Sequence, residues 1–178
     1  MSSIDAGKEG LAVRDVDIRK LLEEAVATLE EDARSAGNRI SIRVSADAEH
    51  AYTDGGKLAV SMAALISNAV KFTSNGLIAV TAERDVLDGR DVLVIAVSDT
   101  GIGIAPENVA RVFQPFTQVE GATTRTKGGM GLGLSIARRM AHTRGGDIVV
   151  SSELGSGSTF SLRIPLRLQA LVATRAAA

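Results

Sequence analysis

The stretch Lys127 to Met140, KGGMGLGLSIARRM, sets four glycines (Gly128, Gly129, Gly131 and Gly133) within six residues and then becomes a glycine-free amphipathic segment. Glycines directly before a helix leave unpaired N–H groups at the positive end of the helix dipole, where bare backbone can close around an anion. That is chemistry suited to phosphate. The other reading is a flexible loop whose glycines only make turns. No Gly-Lys-Ser/Thr ends the run and no dinucleotide fingerprint follows a first βα unit, so neither of those two phosphate loops is present.

A second stretch, SDTGIGI, runs from Ser98 to Ile104. Asp99 leaves a hydrophobic strand just before Gly101 and Gly103, which places a carboxylate beside backbone that a ligand can approach closely. Such a carboxylate can accept a hydrogen bond from an exocyclic amine; the alternative is a plain Asp-Gly turn. In a third stretch, ALISNAVKFT, Asn68 and Lys71 are three apart and share a helix face. They could offer an amide oxygen to a cation and an ammonium to phosphate, or be two solvated side chains. Asparagine is mildly unfavourable inside a helix, so its presence asks for a reason. Each stretch supplies part of an ATP pocket.

These residues need a frame. The 178-residue chain is 45% hydrophobic, enough for one core. With 20 Lys plus Arg against 21 Asp plus Glu it has no field to draw it onto nucleic acid or anionic lipid. It has no cysteine, and so no disulfide or thiolate chemistry. It shows no apolar signal segment and no apolar run of about 18 residues.

Helical spacing of Ile18, Leu21, Leu22, Ala25, Val26 and Leu29 predicts an amphipathic helix that stops at Gly37-Asn38. RISIRVSAD alternates as a half-buried strand, and Asp54 caps a second helix running to about Thr73. GLIAVTAERDV and DVLVIAVSDTG read as two strands joined through Asp88-Gly89. Ile104 to Met130 reads as irregular, a length that in a compact domain has a functional reason. A helix from about Leu132 to Thr143, a break at Gly145-Gly146 and two final strands complete an α/β alternation.

In this order the segments resemble the catalytic ATP-binding domain of sensor histidine kinases. NAVKFT is similar to the N box, DTGIGI to the G1 box, VFQPFTQVEGATTRTKGG to the F box and ATP lid, and GGMGLGLSIARRM to the G2 box. The resemblance spans nearly the whole chain. It implies the fold shared with DNA gyrase and MutL: a two-layer α/β sandwich, its mixed and mostly antiparallel sheet packed on one face by helices, with a long ATP lid. It implies ATP and Mg²⁺ as ligands, with Asn68 on the metal, Lys71 reaching toward phosphate and Phe72 beside the nucleotide. Asp99 would receive the adenine amino group, Gly101 and Gly103 shape its pocket, and Thr159 lie near adenine. Gly129, Gly131, Leu132 and Gly133 would hold the phosphates and Arg125 meet the γ-phosphate, while Phe113 and Phe116 anchor the lid.

Two positions depart from the pattern. Ala64 stands four residues before Asn68, where hydrolytic relatives carry Glu and kinases often Asn; alanine is no general base toward water, so gyrase-like hydrolysis is disfavoured. Met130 replaces the Thr or Ser common in the G2 box. Neither histidine, His50 or His142, sits in a phosphoacceptor context. The reading is therefore a catalytic domain over residues 11–166, preceded at 1–10 by a junction to a dimerisation helix and followed at 167–178 by a tail. Its expected partners are a histidine-bearing dimerisation domain and a response regulator, with no nucleic acid and no membrane contact, in the cytoplasm of a parent that could itself be anchored. A nucleotide-binding domain that transfers nothing, and a serine kinase of the anti-sigma type, are the rival functions.

Overall fold

Two aspartates start two of the helices. In the computed structural model, which describes residues 10–115 and 133–168, Asp17 caps α1 (Ile18–Ala27) by accepting from Lys20 N at 3.0 Å. Asp54 caps α3 (Gly55–Phe72) in the same way from Lys57 N at 3.0 Å, and its second oxygen takes Ala12 N at 2.9 Å. A cap of this kind stabilises by about 1 kcal/mol. The first predicted helix is in fact two, because α1 ends at Ala27 and α2 covers Glu30–Ser35. Thr28 Oγ1 donates to Ala25 O at 2.8 Å, competing with the helix ladder, and Glu30, Glu31 and Asp32 suit a fresh helix start.

Strands β1 (Val13–Asp17) and β3 (His50–Asp54) form an antiparallel ribbon, while β2 (Arg39–Val44) opens the main sheet. That sheet has five strands in the order β2-β4-β5-β7-β6, with β4 at Leu77–Leu87, β5 at Arg90–Asp99, β6 at Asp147–Glu153 and β7 at Gly157–Pro165. Among the described strands of this sheet, β2–β4 is the parallel pair and the others are antiparallel. The β4–β5 hairpin turns through Asp88 and Gly89 at φ of 50° and 72°, the left-handed pair expected of a two-residue turn. Short α4 (Pro106–Val109) interrupts the segment read as irregular, and α5 spans Gly133–Thr143.

Alternate residues of the sheet make the core. Val80 and Ala82, Leu93 and Ile95, and Leu162 bury one face against Ile18 and Leu22 of α1, Leu58, Met62 and Leu65 of α3, and Ala137 and Ala141 of α5. The opposite face carries small and polar residues, among them Ala96, Ser98, Thr159 and Ser161, all half-exposed. This is the two-layer α/β sandwich with a mixed, mostly antiparallel sheet that the resemblance implies. Beyond β7 the chain runs alongside β3 of the ribbon: Tyr52 N donates to Leu166 O at 2.9 Å and Leu168 N to Tyr52 O at 2.7 Å. Leu166 and Leu168 thus pair with the ribbon, and Leu168 is buried.

Candidate functional site

Asp99 ends β5 with 9% of its surface exposed. Its Oδ1 accepts from Gly101 N at 2.9 Å, and the Ser158 backbone N–H also points at the carboxylate. The buried Thr73 hydroxyl stands beside it without a well-formed hydrogen bond. Burial pushes the Asp99 carboxyl above the usual carboxylate range, with these donors pulling the other way. A buried carboxylate of this kind gains strongly by accepting from a ligand N–H.

The loop after Asp99 is fastened at both sides. Ile102 N donates to Phe72 O, the last carbonyl of α3, at 3.2 Å, and Gly155 N donates to Ile102 O at 2.7 Å. Ile104 N donates to Ser152 Oγ at 2.8 Å, and that hydroxyl also reaches Ser158 Oγ at 2.7 Å and Gly157 O at 2.9 Å. A Cβ on Gly101 would collide with Phe72 O and stand 2.9 Å from Asp99 Oδ1. Gly103 has φ of +70° and lies against Glu153 O, so both glycines are demanded by backbone approach.

Thr159 requires a correction. It pairs with Ser98 across β5–β7, and the two hydroxyls meet at 2.9 Å on the face away from the helices. Asp99 pairs with Ser158 on the helix-facing side. Successive strand residues point to opposite faces, so Thr159 is turned away from Asp99 and Ser158 is the residue that shares the Asp99 face. The signal was available: Phe160 is the obvious core residue of STFSLRI, and Ser158 shares its face.

Asn38, read from sequence only as a helix stop, does more. Its buried amide donates to Thr73 O at 2.7 Å and accepts from Gly76 N at 3.1 Å, fixing the turn that presents Thr73 to Asp99. Asn68, Lys71 and Phe72 occupy the last turn and a half of α3, all half-buried, and the Lys71 ammonium lies 5.3 Å from the centre of the Phe72 ring. At the start of α5, a Cβ on Gly133 would stand 3.8 Å from Ala64 Cβ, one turn before Asn68. The structure thus sets the Asp99, Gly101 and Gly103 loop against the C-terminal end of α3, whose last turn and a half carries Asn68, Lys71 and Phe72, and sets Gly133 near Ala64 in the middle of the same helix. Arg125, Gly129, Gly131, Leu132, Phe116, Gly128 and Met130 lie outside the described residues. Phe113 packs edge-on against core Phe160 at 6.1 Å.

Among the described residues no group of three or more acidic or histidine side chains could hold a metal by itself. A lone Asn amide still fits Mg²⁺, which is bound through one or two protein oxygens together with substrate phosphates and water. His50 and His142 are exposed and lie against Asp15 at 3.2 Å and Asp147 at 2.9 Å. No described helix is long and apolar enough to cross a membrane.

Residues 53–168 match the family described as histidine kinase-, DNA gyrase B- and HSP90-like ATPase. The chain belongs to this family. The signal transduction histidine-protein kinase BarA of Escherichia coli strain K12 is 34% identical over 169 residues, covering 94% of this chain and 18% of its own length. Histidine protein kinase DivJ of Caulobacter vibrioides is 37% identical over 174 residues, covering 97% of this chain and 28% of its own. Among solved structures, full-length ShkA in complex with AMPPNP has a TM-score of 0.77 at 34% identity, covering 92% of this chain and 33% of that one. The chain therefore spans about a third or less of each of these three relatives. The resemblance carried by the four boxes is borne out, and the relatives are sensor histidine kinases.

Proposed function

We propose that this chain binds Mg-ATP and serves as the catalytic domain of a sensor histidine kinase, passing the γ-phosphoryl group to a histidine on a separate dimerisation domain for relay to a response regulator. The buried Asp99 carboxylate, framed by Gly101, Gly103 and Ser158, carries this reading, because it is built to accept from an amino-purine edge. On this reading Asn68 and Lys71 meet the polyphosphate as it leaves that pocket, and the N-terminus of α5, which lies against Ala64 one turn before Asn68, adds its dipole. In the transfer, the bond from γ-phosphorus to the β–γ bridging oxygen breaks, a bond to an imidazole nitrogen forms, and ADP leaves. Magnesium, when bound through Asn68, supplies neutralisation of phosphate charge. Lys71 adds positive charge on the same side, and the buried pocket fixes the adenine so that the terminal phosphate meets its acceptor. The setting is cytoplasmic, where ATP is available.

Calorimetric titration of the chain with ATP, with and without Mg²⁺, tests the binding step; the expected result is saturable binding that Mg²⁺ strengthens. Labelled ATP given to a kinase carrying this domain tests transfer, with acid-labile phosphate expected. Acid-stable phosphate would instead mark a serine kinase. A second reading, binding without transfer, is favoured by Ala64: its methyl packs toward Gly133 where many kinases keep an amide. Binding without any labelled protein, corrected by Ala64→Asn, would establish it.

A further inference from the structure

Arg138 joins three elements at one point. Its Nε and Nη2 donate to the two carboxylate oxygens of Asp147, the first residue of β6, at 2.8 and 3.2 Å. Its guanidinium carbon lies 4.7 Å from the centre of the Phe113 ring, on the side chain that packs edge-on against Phe160. Val112, next to Phe113, is itself buried in the core. His142, one helical turn after Arg138, meets the same Asp147 oxygen at 2.9 Å. A planar, bidentate and stacked guanidinium is the form of this contact that holds geometry best.

The consequence lies at the other end of α5. Arg138 is five residues from Gly133, about 7.5 Å along a helix, a distance over which the helix moves as a rod. Fastening α5 at Arg138 to β6 and to Phe113 sets its slide and rotation, and hence where Gly133 rests against Ala64, one turn before Asn68. The adenine end is held separately, through Phe72 O, Ser152 and Ser158, none of which touches Arg138.

We propose that Arg138 is a positioning residue for the polyphosphate end of the nucleotide, holding the N-terminus of α5 in register with Asn68 and Lys71. This rests on the nucleotide reading above. The test is calorimetry of the whole chain with ATP and, in parallel, adenosine, on the wild type, Arg138→Met, Arg138→Lys and Asp147→Asn. Arg138→Met keeps apolar contact with Phe113 but removes the charge; ATP affinity falls about tenfold while adenosine affinity stays within about twofold. Arg138→Lys, which keeps a cation over Phe113 without the bidentate pair, recovers part of the loss, and Asp147→Asn falls between. Equal losses for both ligands, or unchanged ATP affinity with only a lower melting temperature, make Arg138 a simple brace and overturn the proposal. Should Arg138→Met fail to fold, unchanged ATP affinity in both Arg138→Lys and Asp147→Asn overturns it. A wild type that binds neither ligand overturns the nucleotide reading itself.

Discussion

Ser158 stands opposite Asp99 in the β5–β7 ladder, on the face that packs against the helices, while its neighbour Thr159 bonds Ser98 on the other face. Only the first can take part in the pocket. Ser158→Ala removes the hydroxyl that meets Ser152 and loosens the loop at Ile104, so ATP affinity should fall about fivefold, the effect of one lost hydrogen bond. Thr159→Val should leave affinity within about twofold, because the change lies across the sheet. Titration of both variants checks the assignment, and the reverse order of effects would restore Thr159 to the pocket.

Asp99→Asn separates function from stability. Burial raises the Asp99 carboxyl, so the folded chain holds that proton more tightly than the unfolded chain does. The associated stability is present at low pH and lost as pH rises through the raised value, above which the carboxylate is charged and buried. Asparagine removes that cost, and its amide oxygen can still accept from Gly101 N. The melting temperature at neutral pH should hold or rise, whereas ATP affinity drops about tenfold to a hundredfold with the charged acceptor gone. Differential scanning calorimetry beside titration reads both effects.

Glycines of the chain should divide by what a Cβ meets. Gly101→Ala drives a methyl into Phe72 O and toward Thr73, a collision with backbone that no rotamer relieves, and should cost about 2 kcal/mol or more along with nucleotide binding. Gly56, near the start of α3, has only Asp54 Oδ1 at 3.5 Å, and Gly56→Ala should stabilise by about 0.5 to 1 kcal/mol. Urea unfolding of the pair compares them directly.

What could be read from the sequence followed local rules. Asp54 announced α3 because a cap and an apolar period lie within one turn of each other, and Asp88-Gly89 announced its hairpin because only that turn type takes two left-handed residues. The β1–β3 ribbon gave no such sign: Val13 pairs with Asp54, and nothing near either residue specifies the other. Likeness to a motif names a neighbourhood but not a face, so it points to Thr159, while strand alternation puts Ser158, one residue away, on the side of Asp99. Asn38 was legible as a stop but not as the bracket for Thr73, and the Phe113–Arg138 contact joins residues whose separation in sequence hides it.

Acid should loosen α5 from β6. Asp147 is held down to about 2, chiefly by the hydrogen bonds from Arg138, with burial opposing and the Ile148 N–H and His142 assisting. Its carboxylate in the unfolded chain titrates near 3.8, so the stability it contributes is fully present above that value and is lost as pH falls toward about 2. The side chain is 41% exposed, so solvent screening limits the size of the effect. Denaturant unfolding of the wild type should therefore show a steeper loss of stability between pH 4 and pH 2 than Asp147→Asn, whose amide does not titrate. Because Asp99 acts in the opposite sense over acid pH, the comparison is made between these two proteins at each pH, where the Asp99 contribution cancels. Parallel acid limbs would show that the Arg138 pairing leaves folding unaffected, and the clasp would then act on ligand binding alone.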